Sequence, residues 1–341
     1  MLNWKPPDNW LRIKAIDAHT AGEPLRIYTA GYPEPQGNTI LEKRRYALEN
    51  LDYLRTATMW EPRGHADMYG CLITDPVTED GDIGVLFLHN EGYSSMCGHG
   101  IIAITKVGLE TGLLKNIKDN KTVRIDTPAG RVTATAAWKD GLVSEVSFNN
   151  VPSFLQESDQ EIDLPGLGIV KYDLAFGGAY YALVKAEDLQ VGLSASSFRR
   201  LIELGISLKQ AIAGSREIVH PFEKDLGFLY GVIFIGDPED KNNHSRNVCV
   251  FADGEVDRSP TGTGVSARAA VHYSRGEIDL NQPFTVESIL GTCFRGEAIE
   301  EIQYGPYRAV IPKITGSAHI CGLNTLLIDP EDSLKHGFIL R

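Results

Sequence analysis

The sequence has no apolar run near the eighteen or more residues that a membrane-spanning helix needs, so an integral membrane protein is not expected. It has no excess of basic charge. Its 33 Lys and Arg stand against 45 Asp and Glu, and a net charge of −12 repels phosphate backbones and anionic lipid. Neither nucleic acid nor a membrane surface is an expected partner. Cysteine is scarce and unpaired in pattern: Cys71, Cys97, Cys249, Cys293 and Cys321 form no Cys-x-x-Cys motif and are odd in number. The opening MLNWKPPDNW lacks the charged-then-apolar pattern of a secretory leader, so a reducing cytoplasm is the expected setting. His65, Asp67, His89 and His99 lack the His-x-x-x-His or His-x-His spacing that favours a shared metal, and no lysine motif for pyridoxal phosphate is present. Neither a metal nor a cofactor is expected.

What is present points to a globular chain of two domains, since 341 residues divided by about 150 per domain gives roughly two. Hydrophobic residues make up 43% and charged residues 23%, enough for a core without disulfide or metal staples. The 34 glycines lie in short turn clusters between β-branched runs, which implies many tight turns between many strands. Strands are predicted at 123–127, 131–137, 142–148, 180–184, 229–235 and 247–251. Helices are predicted at 39–55, 101–111, 196–213 and 265–274. The class is α+β.

A weak internal repeat refines this reading. Gly84-Val85-Leu86-Phe87-Leu88 leads through a polar turn to Met96-Cys97-Gly98-His99-Gly100 and a helix. Val248-Cys249-Val250-Phe251 leads likewise to Pro260-Thr261-Gly262-Thr263-Gly264 and a helix. Val85 to Cys97 and Cys249 to Thr261 are both twelve residues. A second echo pairs the segment from Ile16 to Gly22 with that from Ile125 to Gly130. It places a domain boundary near residue 126 and about 55 extra residues in the second half, between Pro152 and Phe222.

In each motif a small polar side chain stands directly before Gly-x-Gly at a helix start, where free backbone N–H groups and the positive end of the helix dipole converge. Two such corners facing one another across a cleft could hold one small carboxylate. Cys97 at a helix N-cap is then a candidate catalytic base, because that position lowers a thiol pKa. Rival readings exist. Gly98, Gly100, Ala103 and Gly262, Gly264, Ala267 also touch the dinucleotide fingerprint, although some eight residues separate strand from glycine. Glycine-rich helix starts also occur as pure structure. Composition and spacing alone leave the function open.

The segments Asp17-Ala18-His19-Thr20-Ala21-Gly22-Glu23-Pro24, Glu61-Pro62-Arg63-Gly64-His65, His89-Asn90-Glu91-Gly92-Tyr93, Met96 to Gly100, Phe176-Gly177-Gly178 and Asp257 to Gly264 run in order over most of the chain. Through them the sequence resembles the proline racemase family. The resemblance implies a diaminopimelate epimerase-like fold: two pseudo-symmetric domains, each a curled β-sheet around a central helix. Residues 1–126, completed by 319–341, would form one domain and residues 127–318 the other. The active site would lie between them, the family works without cofactor or metal, and a homodimer is expected.

Racemases of this family carry cysteine in both motifs, whereas Thr261 stands at the second here. Racemisation needs a proton donor and an acceptor on opposite faces of the α-carbon, and an unactivated threonine hydroxyl serves as neither near neutral pH. The Cys/Thr pair resembles the branch that dehydrates trans-3-hydroxy-L-proline to Δ1-pyrroline-2-carboxylate. The alternatives are a proline racemase or hydroxyproline 2-epimerase and, from another class, a catalytically silent carboxylate-binding protein. The resemblance assigns Cys97 the α-proton and sets Thr261 on the opposite face. Backbone N–H groups of Gly98, His99, Gly262 and Thr263 would hold the carboxylate, and Asp257 with the His99 side chain would hold the ring ammonium. His89 and Asp67 would buttress the cleft.

Overall fold

Alternating burial along the strands and tight turns between them produce a chain that is mostly antiparallel sheet, with few helices. The computed structural model describes residues 4–114, 117 and 121–340. From the N-terminus it runs through β1 (Leu11–Thr20), β2 (Glu23–Ala30), α1 (Ile40–Asn50), α2 (Asp52–Met59), β3 (Tyr69–Thr74), β4 (Ile83–His89), β5 (Gly92–Ser94), α3 (Gly98–Glu110), β6 (Thr122–Thr127), β7 (Gly130–Lys139) and β8 (Leu142–Asn149). It continues with β9 (Ser153–Leu164), β10 (Gly168–Phe176), β11 (Tyr180–Lys185), α4 (Phe198–Ser215), β12 (Leu229–Gly236), β13 (Ser245–Phe251), β14 (Glu255–Val256), α5 (Gly262–Ser274), β15 (Phe284–Glu287), β16 (Cys293–Tyr304), β17 (Tyr307–Gly316) and β18 (Ala318–Ile328).

The pairing of these strands repeats. β1–β2 is antiparallel, β2–β3 parallel, β3–β4 and β4–β5 antiparallel, β4–β6 parallel, and β6–β7 and β7–β8 antiparallel. The same series recurs from β10 to β17, with β13–β15 as the parallel step after the short strand β14. In each set the short strand delivers the chain to one buried helix, α3 or α5. β9 flanks β10 and closes the second set into a ring by pairing with β17, Ala309 opposite Phe154. β18 flanks β1 along its whole length, from Leu11 opposite Ile328 to Thr20 opposite Ala318, so the last strand completes the first set. β8 and β17 join the two sets.

α3 is buried on nearly every side, with Ile101, Ile102, Ile104 and Val107 fully buried among β1, β2, β7, β8 and β18. Each such side chain contributes about 1.5–3 kcal/mol relative to exposure. α5 is built of smaller residues, Ala267, Ala269 and Ala270 among them, and packs closely against β9, β10, β16 and β17.

The predicted strands all fall on β6, β7, β8, β11, β12 and β13, and the predicted helices overlap α1 to α5. Some expectations need correcting. The helix predicted over 39–55 is two, because the chain turns at Leu51 between α1 and α2. Helices α3 and α5 begin at their first glycines, three residues earlier than predicted. The echo of Ile16–Gly22 in Ile125–Gly130 is a likeness of two hairpin turns, since the counterpart of β1 by pairing is β10, not β6. Residue 126 lies inside β6, bonded to β4 and β7. The stretch from Pro152 to Phe222 is not an insertion, because β10 and β11 within it repeat β1 and β2.

Removing residues 317–341 deletes β18, one of the two strands that pair with β1, but leaves the β9–β17 ring whole. Amide exchange in β1 and β2 is expected to accelerate at least tenfold, about 1.4 kcal/mol of lost local stability, while β9–β17 keep their protection. Unchanged protection of β1 in the shortened chain would show that β18 is a passenger.

Candidate active site

The two buried helices meet head to head. Cys97 caps α3 in an extended conformation, and its Sγ accepts the Gly100 N–H at 3.2 Å. Thr261 precedes α5 at φ 66°, in the left-handed region, where a β-branched residue costs of order 1–3 kcal/mol. It is held there by its N–H donating to Ser259 Oγ at 3.1 Å and by its carbonyl accepting the Val265 N–H at 2.7 Å. A Cβ at Gly98 would meet the Gly262 Cα at 2.6 Å, and one at Gly262 would meet the Gly98 Cα at 2.8 Å. These glycines are therefore required by the approach of two backbones. The dinucleotide reading fails on the same ground, and β5 with its turn also separates β4 from Gly98.

A narrow cavity of about 20 Å³, room for one or two waters, lies at this junction. Cys97, Gly98, His99, Asp257, Thr261, Gly262 and Thr263, the site residues expected from the sequence, all line it. As the first residues of their helices, Gly98, His99, Gly262 and Thr263 have N–H groups without an intrahelical acceptor. His99 Nδ1 stands 3.2 Å from Cys97 Sγ, so the imidazole faces the thiol. Asp257 accepts the Ser259 N–H at 2.7 Å. The Thr261 hydroxyl is buried without a well-formed hydrogen bond, beside Asp257 and Cys249, where burial raises both pKa values and the hydroxyl opposes the rise.

Sequence reasoning assigned no part to several other lining residues. Glu23, on the β1–β2 hairpin, accepts the Arg258 backbone N–H at 2.8 Å and pairs with the Arg258 guanidinium at 3.1 Å. Tyr69 shares its hydroxyl with Ser94 at 2.6 Å and Tyr230 at 3.1 Å, and Tyr181 bonds the Thr263 hydroxyl at 2.6 Å. Glu23 stood inside a quoted motif and was legible as a candidate. The tyrosines come from β3, β11 and β12, far apart in sequence, and carry no local signal.

Burial governs the charges. It pushes the Cys97 thiol well above its ordinary value; the Gly100 N–H opposes this, and the nearby carboxylates of Asp257 and Glu23 add to it. This corrects the expectation of a lowered thiol pKa, because desolvation outweighs the helix N-terminus. Burial holds His99 down to about 3, and the Arg258 charge adds to that, so its imidazole is neutral. Burial raises Asp257, against the hydrogen bonds from Ser259, and raises Glu23 well above the carboxylate range despite Arg258. Tyr69, Tyr181 and Tyr230 are raised far enough to remain protonated donors.

The remaining candidates sit outside the cavity lining. His89 lies behind Tyr69, its Nδ1 3.4 Å from the buried Glu255, and Asp67 meets Arg258, both in buttressing positions. His65 is exposed and bonds the neighbouring Ala66 carbonyl. Among the described residues, no group of three or more His, Cys, Asp or Glu is arranged to hold a metal ion, and no helix is long and apolar enough to cross a membrane.

Comparison with known proteins gives concordant matches. The family model described as proline racemase matches residues 15–339. A trans-3-hydroxy-L-proline dehydratase of Colwellia psychrerythraea is 49% identical over 341 residues, covering 99% of this chain and 96% of the relative. A proline racemase of Clostridioides difficile is 44% identical, covering 96% and 98%. Among solved structures, a hydroxyproline epimerase from Agrobacterium vitis with bound trans-4-hydroxy-L-proline superposes with a TM-score of 0.92 at 30% identity, covering 98% of this chain and 96% of the other.

A raised thiol pKa means little thiolate at neutral pH. Iodoacetamide labelling of Cys97, followed by mass spectrometry on the ligand-free protein, should be slow at pH 7 and rise with pH through 9 without levelling off. A fast rate, flat between pH 6 and 8, would show instead that the helix N-terminus dominates.

Proposed function

This chain belongs to the proline racemase family, and from that premise we infer that it is a hydro-lyase converting trans-3-hydroxy-L-proline to Δ1-pyrroline-2-carboxylate and water. The observation that carries the reading is Thr261 opposite Cys97 across a junction where a racemase needs two thiols. Overall identity does not separate the two activities, since a racemase is nearly as similar as the dehydratases. The two capping side chains do.

In this reading the substrate carboxylate lies against the N–H groups of Gly98, His99, Gly262 and Thr263, where two positive helix ends stabilise the charge that spreads into it. The ring ammonium sits beside Asp257, with neutral His99 as a further acceptor. That cation offsets the two carboxylates that raise the Cys97 pKa, and the Gly100 N–H then favours a thiolate. In trans-3-hydroxy-L-proline the α-hydrogen and the hydroxyl share the ring face opposite the carboxylate. Cys97 thiolate takes the α-proton, the Cα–H electrons form the ring double bond, and the C3–O bond breaks. The thiol returns its proton to the departing hydroxyl as water, and the enamine tautomerises to the Δ1 product. Tyr69, Tyr181 and Tyr230 are the other protonated donors in the cavity. Thr261, with no acid function, lines the opposite face.

The narrowness of the cavity requires the two strand sets to part for substrate entry. The repeated pairing supports two pseudo-symmetric units of the diaminopimelate epimerase kind, and it favours a division after β8 with β18 returning to the first unit. Free thiols at all five cysteines fit a reducing cytoplasm, and we keep a homodimer as the expected assembly.

Cys97→Ser should lose at least a thousandfold in turnover, about 4 kcal/mol, while still binding proline-like carboxylates through the backbone cradle. Pyrroline formation near the parent rate would remove Cys97 from its role. Thr261→Cys should gain measurable 2-epimerase activity on 4-hydroxyproline, followed by polarimetry, whereas the parent should leave L-proline optically unchanged. Efficient racemisation of proline by the parent would favour the racemase reading.

A further inference from the structure

Arg268 lies midway along α5, fully buried, and among the described residues no carboxylate pairs with it. Its Nη1 donates to Ser245 Oγ at 2.6 Å and Asn247 Oδ1 at 2.9 Å, and its Nη2 donates to His272 Nε2 at 3.0 Å. All three acceptors are neutral, since His272 receives the guanidinium bond on one nitrogen and turns the other to Glu277. The Nε–H has no hydrogen-bond partner. A neighbouring guanidinium shows the usual remedy: Arg246 is paired with Glu287 and Glu239, both at 2.7 Å. Arg268 has no such neutralisation, and a buried cation without a contacting anion is costly.

Beside it opens a groove of about 560 Å³, between the ends of β11 and β12 and the start of β13. Arg268, Ser245, His244 and Lys185 contribute its positive and hydrogen-bonding wall, and Glu187 and Asp237 stand on the same lining. His244 bonds Ser245 Oγ at 2.9 Å and packs edge-on to His272, their ring centroids 4.8 Å apart. A guanidinium short of one anion, a hydroxyl, an imidazole and a lysine around one groove make a receptor for a small oxyanion. The groove is separate from the catalytic cavity and shares no lining residue with it. The two are nevertheless joined by a short relay: Asn247, held by Arg268, donates to the Pro260 carbonyl at 3.2 Å, directly before Thr261.

We propose that this groove is a second ligand site, binding a small oxyanion of the phosphate type against Arg268, Ser245 and His244. Inorganic phosphate is the probe, titrated into the full chain at constant ionic strength with chloride as balance. Two readouts run together: the thermal midpoint and the ring NMR signals of His244 and His272. The expected result is a saturable rise in the midpoint, with both histidine signals moving on the same binding curve. Ser194→Trp, on the exposed rim of the groove, should weaken that curve at least tenfold while leaving the phosphate-free midpoint unchanged. Arg268→Met should abolish it, and if that variant fails to fold the rim variant decides. A saturable midpoint shift with stationary His244 and His272 signals would place the anion at the helix junction instead. That result, a linear response equal to that of chloride, or an unaltered curve in Ser194→Trp overturns the proposal.

Discussion

The constraint on which the rest of the structure depends is the contact of Gly98 with Gly262. Two helix N-termini, each carrying partial positive charge, are brought to backbone contact in a buried place. Nothing larger than glycine fits at either position, and no residue between them supplies a countercharge by itself. The surrounding structure answers both demands. Each helix is clasped by its own strand set, so the approach is fixed by sheet geometry, and the buried acids Glu23 and Asp257 lie within the same lining. A carboxylate ligand is the natural complement to what remains.

That arrangement also explains why the thiol and the carboxylates are held away from their ordinary ionisation. Desolvation is the largest influence at Cys97, His99, Asp257 and Glu23 alike, and in each it works against the charged form.

Much of this was legible in the sequence because the informative residues are local. Cys97-Gly98-His99-Gly100 and Thr261-Gly262-Thr263-Gly264 lie each in one short segment, and turn, cap and helix follow from neighbours. The contributions of Tyr69, Tyr181 and Tyr230 were not legible, since three strands bring them together and no spacing records it. The thiol pKa was misjudged for a related reason: the N-cap is a local feature, whereas burial is the sum of both strand sets. The repeat was found at its glycine motifs, and a hairpin likeness at Ile125–Gly130 set the expected boundary near residue 126. Pairing partners, which lie far off in sequence, make β10 rather than β6 the counterpart of β1.

The return of β18 to β1 sets an order on synthesis. All strands of the β9–β17 ring are contiguous, so that ring can close as soon as its last strand leaves the ribosome. β1 emerges first and waits longest: Leu11 meets Ile328 only when nearly the whole chain has been made. Until then its outer edge is an unpaired strand, open to whatever other extended chain is near. The portion made first is thus finished last, and the first strand set keeps an open edge until the strand that returns to it has been made.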